Sequence, residues 1–499
     1  MVNFKEDIGD LIRGSGVVLL GTVVGRLFGL AGQIIIVRNL SPETFGHLAL
    51  AFTIVSSIGM IAIFGTQDGV TRFLSANESV HEKLHYLRSG VGLVVASSVT
   101  AAVLVYLFRY QIGSLMGDEE LPQLLSIFII YLLVFPLSRV LISILRSESR
   151  PTAMILARDF TGPVISLSLL FSFIWMGMVV QGAIVYWLAI PLFTLVFSSY
   201  FSFKLLPIRK ILEQPPDLSV TKELWKFSWP LAVSSSFMIM MSNLDVMMIG
   251  LLMESSTPVG LYRSIQPLRE VTIFVLGSVT FLYLPLCTKY YENEDYDSLL
   301  ALYKNTSKWI SSLTLPIVIV VGLFPGSVIF HLFGSDYLPA APALTVLIFG
   351  YFLRVVAGPT GATIKAIDRS KVELVSASVG TVANVVVNVL LIPRYGIVGA
   401  AFGTAIGFLV YNLLELTVIY KDTRSHPFST NLIKPSVLTV GFAIGLKLYF
   451  AEGRLSIPAL MILGAAFGLI QLVAIILTRS FDEYDEEIIG KLKSSFEFS

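Results

Sequence analysis

The chain has 499 residues, 55% of them hydrophobic and only 14% charged, with a formal net charge of +1. A soluble domain carries about 25% charged residues, so the composition excludes an ordinary soluble protein and indicates a polytopic membrane protein. The near-neutral balance argues against a nucleic-acid partner, and the single cysteine, Cys287, excludes an intramolecular disulfide and a Cys-rich metal site. No HExxH pair and no GxxxxGK[ST] loop occurs, so neither a zinc peptidase nor a built-in ATPase is expected, and no cofactor or metal is called for.

The first apolar run, residues 14–39, is long enough to cross a bilayer with some tilt. It is too long for a signal-peptide core and lacks a small-residue cleavage site, so it reads as a retained first helix. Arg26 interrupts it. An arginine near the middle of such a helix costs roughly 2.5–3.5 kcal/mol on insertion scales, so it is expected inside a bundle or against a watery cavity. Pairing to a carboxylate on another helix, or snorkelling to an interface, is the competing explanation. Gly21, Gly25, Gly29 and Gly32 recur at the spacing that lets a neighbouring backbone approach closely. Arg26 and Gln33 share a neighbouring polar stripe with Thr22 and Gly29.

Apolar runs split at turn residues and charge clusters predict fourteen spans, over 14–39, 44–67, 86–108, 121–145, 153–175, 179–203, 227–251, 258–284, 306–331, 339–365, 373–393, 397–420, 433–450 and 456–478. Loops after even-numbered spans hold most of the Lys and Arg, for example Arg146 and Arg150, Lys204 to Lys226, and Lys365 to Lys371. Loops after odd-numbered spans offer little beyond Arg109, Arg394 and Arg454. The alternation predicts cytoplasmic termini and an even number of spans. The basic stretch 204–226, with its Pro-Pro pair, reads as a cytoplasmic linker.

The segment RNLSPETFGHLALAF after the first span recurs as LLMESSTPVGLYRSIQ after the seventh, with Gly46 and Gly260 in corresponding places. MGMVVQGAIVYW likewise resembles YGIVGAAFGTAI, with Gly182 opposite Gly399. The two offsets nearly agree, which predicts two parallel six-helix repeats with a site at their interface. The expected organisation is an N-terminal lobe over 1–206, a linker over 207–224, a second lobe over 225–421, two further helices over 422–480 and a cytoplasmic tail over 481–499.

Several polar groups fall inside the predicted spans. Ser242 and Asp245 share a face of the seventh, and Asp245 is the expected opposite of Arg26 across a cavity or, alternatively, a salt-bridge partner that fixes helix register. Arg263, Gln266 and Glu270 share a face of the eighth, at depth or at the outer interface. Asp68 and Arg72 are spaced to pair with each other near the cytoplasmic boundary. Arg139 lies one face-repeat before Arg146. Pro163 is expected to kink the fifth span beside Arg158 and Asp159. Arg354 stands in the tenth. Asn384 and Asn388 follow one face of the eleventh and are expected mainly to bond to a neighbouring helix. Glu415 is expected at an interface. Arginines outnumber acids in this set, and guanidinium suits phosphate, so an anionic substrate is expected.

At this level the chain resembles the polysaccharide-transport, or Wzx-type, flippases of the multidrug/oligosaccharidyl-lipid/polysaccharide exporter superfamily. The likeness rests on VVGRLFGLAGQIIIVRNLSPETFGHLALAF, FSWPLAVSSSF, LDVMMIGLLM with VGLYRSIQ, FGSDYLPAAPAL and NVVVNVLLIPRYGIVGAAFGTAIG, and covers nearly the whole chain. It implies an all-α polytopic membrane protein of fourteen transmembrane helices, two six-helix lobes in a V shape plus two C-terminal helices. It also implies a polyprenyl-phosphate-linked oligosaccharide as substrate, with Arg26 and Asp245 as cavity residues. The chain lacks the denser arginine cluster that the lipid II flippases of the superfamily carry in their opening helices, which disfavours a peptidoglycan precursor. Its opening helix looks like archaeal members, implying a dolichyl-type carrier.

The expected protein is therefore an alternating-access flippase of the plasma membrane, monomeric and not an enzyme. Its expected cavity residues are Arg26, Gln33, Arg139, Ser242, Asp245, Arg263, Arg354, Asn384 and Asn388, and Asp245 is the candidate for coupling to H+ or Na+. An ion-coupled multidrug exporter of the same superfamily is the first alternative. A membrane-embedded glycan polymerase or glycosyltransferase is the second, disfavoured by the absence of a sizeable extramembrane loop.

Overall fold

The computed structural model describes residues 21, 23–207, 215–449 and 454–481, with the side chains of 234–235, 237–242, 281–282 and 449 outside the description. Among the described residues every regular element is helical. Eleven helices of the described residues are long and apolar enough to cross a membrane, or twelve if the two arms of a helix bent by 47°, Ser256–Thr280 and Tyr283–Glu292, form one span. The sequence predicted fourteen. Its first span lies partly outside the described residues, and the described part of its seventh counts only as a short apolar helix, Asn243–Met253. The protein is thus an all-helical, multi-pass membrane protein.

The chain divides into two compact units, residues 1–264 and 265–499. In the first unit, α1 (23–38) leads through Ser41, whose hydroxyl accepts the Thr44 N–H at 3.2 Å, into α2 (Pro42–Ala62). The motif SPETF starts this helix for local reasons: a capping serine, a proline at the first helical position and an acid in the first turn. At Phe64-Gly65 the backbone turns left-handed, and α3 (Thr66–Ala76) then continues the same span. A Cβ on Gly65 would lie 2.4 Å from the Ser228 carbonyl oxygen, so this break requires glycine.

Helices α4 (Val80–Leu115), α5 (Leu121–Ser147), α6 (Pro151–Ile155), α7 (Thr161–Trp175) and α8 (Val179–Phe203) complete the packing with α9 (Leu218–Met253). Val70, Leu74, Leu87, Val140, Ile144 and Leu224 bring α3, α4, α5 and α9 onto one apolar core. Phe52 stacks on Trp187 at 4.7 Å, tying α2 to α8. The distortion expected at Pro163 is a π-helical turn, Leu156–Phe160, between α6 and α7. Proline at 163 cannot donate to the carbonyl of Asp159, and the widened turn falls where that bond is missing.

Helix α10 (Ser256–Glu292) begins in the first unit and continues into the second. There α11 (Tyr296–Leu323), α12 (Pro325–Phe333), α13 (Ala341–Val356), α14 (Thr360–Ala366), α15 (Ser370–Tyr395) and α16 (Ile397–Thr423) follow. Helices α15 and α16 pack over a long contact. Gly399, Gly403 and Gly407 make that approach possible, with a Cβ on Gly399 meeting the Leu391 carbonyl at 2.5 Å. Helices α17 (Thr430–Tyr449) and α18 (Ile457–Leu477) dock on α11 through Leu315, Ile319, Ala443 and Phe467. A buried chain supports that docking: Thr439 donates to the Gln471 side chain at 2.6 Å, and Gln471 donates to Ser312 at 3.2 Å.

Candidate functional site

In the first unit, Arg139 lies on the wall of a cavity of about 210 Å³ that it shares with Phe135, Gln67, Asp68, Gly65 and Ala232. The break between α2 and α3 opens this space, and α5 presents Arg139 to it. Its guanidinium sits 4.9 Å from the centre of the Phe135 ring one turn earlier. Among the described residues no carboxylate lies within ion-pair distance of Arg139. The nearby arginines are neutralised locally: Arg146 bonds Asp68 at 3.0 Å, and Arg158 clasps Asp159 with two bonds of 2.9 and 2.8 Å. Among the described residues of this wall, Arg139 is a cation without an ion pair.

The pairing of Asp68 corrects one expectation. Asp68 meets Arg146 across α3 and α5, whereas Arg72 places its guanidinium over the Phe227 ring at 4.3 Å. Spacing on one helix allowed the local pair, but a partner on another helix supplied better geometry.

Arg26 is exposed on α1. The glycines beside it pack as their spacing indicates: Cβ atoms on Gly21, Gly25 and Gly32 would strike Ile155, the Asp159 carbonyl and Tyr186, while Gly29 meets nothing. Gln33 is buried, and its amide nitrogen finds no hydrogen-bond partner among the described residues. Asp245 has no exposed surface and accepts a hydrogen bond from the Tyr262 hydroxyl at 3.1 Å. It therefore sits in the packing of α9 on the start of α10. Arg263 is half-buried near it in sequence. The Ser242 side chain lies outside the described residues.

The second unit holds the remaining candidates. Arg354 on α13 stacks over Phe408 of α16 at 4.8 Å. Asn388 donates to Asn384 at 3.1 Å, both fully buried between α15 and α16, where a Cβ on Gly403 would fall 1.9 Å from the Asn388 oxygen. Glu415, expected at an interface, is completely buried. Its neighbours Tyr411 and Thr360 come from one turn earlier on α16 and from α14.

One constellation escaped the sequence reading altogether. His47 Nδ1 lies 2.7 Å from Asp118 Oδ2, and Ser256 Oγ donates to that same oxygen at 2.8 Å while standing 2.8 Å from His47 Nδ1. Asp118 Oδ1 accepts the backbone N–H groups of Glu120 and Leu121 at 3.0 and 3.1 Å, capping the start of α5. Burial pushes the Asp118 carboxyl up, but the hydrogen bonds from His47 and Ser256, with the His47 charge and the Glu120 N–H, outweigh it and hold the group below its usual range. The only sequence signal was a lone histidine next to Gly46, inside the very segment that repeats.

Comparison with known proteins bears on what this helical framework is for. The family model for polysaccharide biosynthesis proteins matches residues 11–291, more than half of the chain. The protein belongs to that family. The MatE family model also matches, over residues 230–390. A probable low-salt glycan biosynthesis flippase, Agl15 of Haloferax volcanii, is 23% identical over 417 residues, covering 81% of this chain and 83% of that protein. The lipid II flippase MurJ of Bacillus subtilis is 21% identical over 220 residues, covering 41% of this chain and 40% of its own.

Among solved structures, a lipid II flippase MurJ in an inward closed conformation superposes with a TM-score of 0.73 at 15% identity, covering 92% of this chain and 98% of that one. An inward-facing multidrug resistance MATE family transporter of the MOP superfamily gives 0.69 at 18%, covering 82% and 98%. The fold is that of these MOP-superfamily transporters, as the resemblance implied.

Proposed function

We propose that this protein is a flippase that turns a lipid-linked oligosaccharide, carried on a polyprenyl or dolichyl phosphate, from the cytoplasmic to the outer leaflet for glycan assembly. The observation that carries this reading is Arg139, a cation on a cavity wall with no carboxylate to neutralise it among the described residues. A guanidinium holds phosphate oxygens by forked, charge-assisted hydrogen bonds, and the carboxylate on the same wall, Asp68, is already paired with Arg146. The extended similarity to a glycan flippase of Haloferax volcanii supports the same substrate class.

In this proposal the sugar-phosphate head, which cannot cross hydrocarbon unaided, enters beside Arg139 and the exposed Arg26 while its tail stays in lipid. Asp245 is the proposed site of coupling to H+ or Na+. Arg263, Arg354, Gln33, Ser242, Asn384 and Asn388 complete the proposed polar lining. Fourteen spans, arranged as two six-helix lobes in a V shape with two C-terminal helices, belong to the same proposal. So do the lobe limits 1–206 and 225–421, cytoplasmic termini, a monomeric state and residence in the plasma membrane.

The test is mass spectrometry of lipid extracts from cells depleted of the protein and restored with wild type, Arg139→Ala or Arg26→Ala. Accumulation of a lipid-linked oligosaccharide, reversed by wild type and not by Arg139→Ala, is the expected result. Depletion without any such lipid, in cells free of related flippases, overturns the substrate. The multidrug exporter is then favoured, for which the MatE match over 230–390 and the buried acids Asp245 and Glu415 already speak.

A further inference from the structure

A cavity with cationic walls lies in the second unit, lined by none of the candidate site residues above. It has a volume of about 520 Å³ and forms where α11 ends and α12 begins, with Lys447 of α17 and Arg454 on one side. Two cations line it. Lys447, in the last turn of α17, holds its ammonium 4.8 Å from the centre of the Phe324 ring, and Arg454 holds its guanidinium 4.5 Å from that of Phe330. Among the described residues neither has a carboxylate within ion-pair distance.

Arg454 is held at this place by its neighbour. The Leu455 N–H donates to Ser327 Oγ at 3.1 Å and the Leu455 carbonyl meets His331 Nε2 at 2.7 Å, so both backbone groups of Leu455 are pinned to α12. Gly326 and Ser327 line the same cavity from the first turn of α12, which has no side-chain cap. Their N–H groups precede the first intrahelical bond and add donors to the cationic wall. At the neighbouring end of α11 the Gly322 carbonyl is already taken by Thr345 at 2.9 Å, and the Phe324 N–H returns to Val320 at 3.1 Å. Among the described residues the space therefore offers positive charge and donors with little to satisfy them.

We propose that this cavity binds a phosphate ester, with the head group of an anionic membrane lipid as its source. The surroundings suit a lipid: Phe442, Ile444 and Leu448 on α17 and Ile457 and Met461 on α18 are exposed apolar side chains flanking the two cations in sequence, an apolar surface for acyl chains. Lys447 supplies a point charge and Arg454 a fork, a combination that holds a phosphate without requiring one orientation of the rest of the molecule. With cytoplasmic termini, as proposed above, this end of α11 and α17 faces the outer leaflet. The binding itself does not depend on that orientation or on flipping.

The experiment uses the full chain in detergent, with native mass spectrometry to count bound dioleoyl phosphatidic acid and thermal unfolding to read stabilisation, in wild type, Lys447→Ala/Arg454→Ala and Gly326→Asp. Wild type is expected to retain the lipid, and the double variant to lose at least tenfold in affinity. A Cβ at Gly326 meets only Leu338, at 4.0 Å, so Gly326→Asp places a tethered carboxylate in the cavity without a clash. An acid in the first turn favours the helix, so this variant should stay folded and still release the lipid. A parallel arm with inorganic phosphate separates the sources. Stabilisation by millimolar phosphate that vanishes in Gly326→Asp supports the anion site with a free phosphate as its occupant, and phosphatidic acid retained against that phosphate supports the lipid. Equal retention of both probes by wild type and Gly326→Asp overturns the proposal. Because nothing in this readout involves transport, it fails or stands separately from the flippase reading.

Discussion

Asp118 and Ser256, 138 positions apart in sequence, share a 2.8 Å hydrogen bond on the carboxylate oxygen that His47 also holds at 2.7 Å. The bond joins the turn before α5 to the first residue of α10, and His47 adds α2. Beneath it, Gly46 and Gly260 bring the starts of α2 and α10 together so closely that a Cβ on Gly46 would lie 1.8 Å from the Ser256 carbonyl oxygen, and one on Gly260 would lie 1.9 Å from that of Pro42. The two glycines that mark the internal repeat thus meet each other in space.

Asp118→Asn is expected to lower stability by about 1.5–3 kcal/mol, the worth of hydrogen bonds to a charged group. The folded carboxyl sits below its unfolded value of 3.8, so its contribution is complete above that value and is lost as pH falls through the folded one. Thermal unfolding of purified protein from pH 7 down to about pH 2 should show a larger acid-side loss in wild type than in Asp118→Asn. A variant that matches wild type at every pH would remove the carboxylate from this account.

Gly46→Ala and Gly260→Ala each place a methyl group against backbone, which cannot swing aside. Overpacking of this kind costs about 1–3 kcal/mol. Both variants should unfold at lower temperature than wild type. Gly29→Ala, where a Cβ meets nothing within 4 Å, should not.

The α15–α16 contact allows a sharper test by coupling. Gly403→Ala drives a methyl group into the Asn388 oxygen and is expected to destabilise by about 1–3 kcal/mol. In Asn388→Ala/Gly403→Ala the obstructing amide is gone, so the pair should lose less than the sum of its single variants. Additive losses would mean that Asn388 is not what Gly403 accommodates.

Arg139→Ala should leave folding nearly intact, because the side chain makes a ring contact and no ion pair among the described residues. Its loss should cut turnover of a phosphate-bearing substrate about 10- to 100-fold, corresponding to a charged hydrogen bond of about 1.5–3 kcal/mol. Arg146→Ala, which breaks an exposed pair with Asp68, should change stability by no more than about 1 kcal/mol. A reconstituted flipping assay alongside thermal unfolding reads both. If Arg146→Ala lowers turnover more than Arg139→Ala does, the assignment of the phosphate contact is wrong.

What was local in the sequence survived folding. The cap at Ser41, the proline at the start of α2 and the glycine spacings of α1 and α16 act within one or two turns, so their consequences follow from residue order alone. Membrane character likewise follows from composition, because a helix without apolar surface cannot meet lipid. The polar groups behaved differently. Asp68 had a correctly spaced partner in Arg72 and took Arg146 instead. Glu415 was expected at an interface and, like Asp245, is wholly enclosed.

The sequence by itself therefore determined a multi-pass helical protein, many of its helix boundaries and its family, since these depend on hydrophobic runs, short-range capping and motif order. Only the tertiary structure decided which charges are spent on each other. Arg146 and Arg158 are neutralised, while Arg139 and the pair Lys447 and Arg454 are left facing cavities. Arg158 is bound by the residue next to it, but the partner of Arg146 stands on another helix, and a Coulomb interaction depends on distance in space and burial, which linear spacing does not encode.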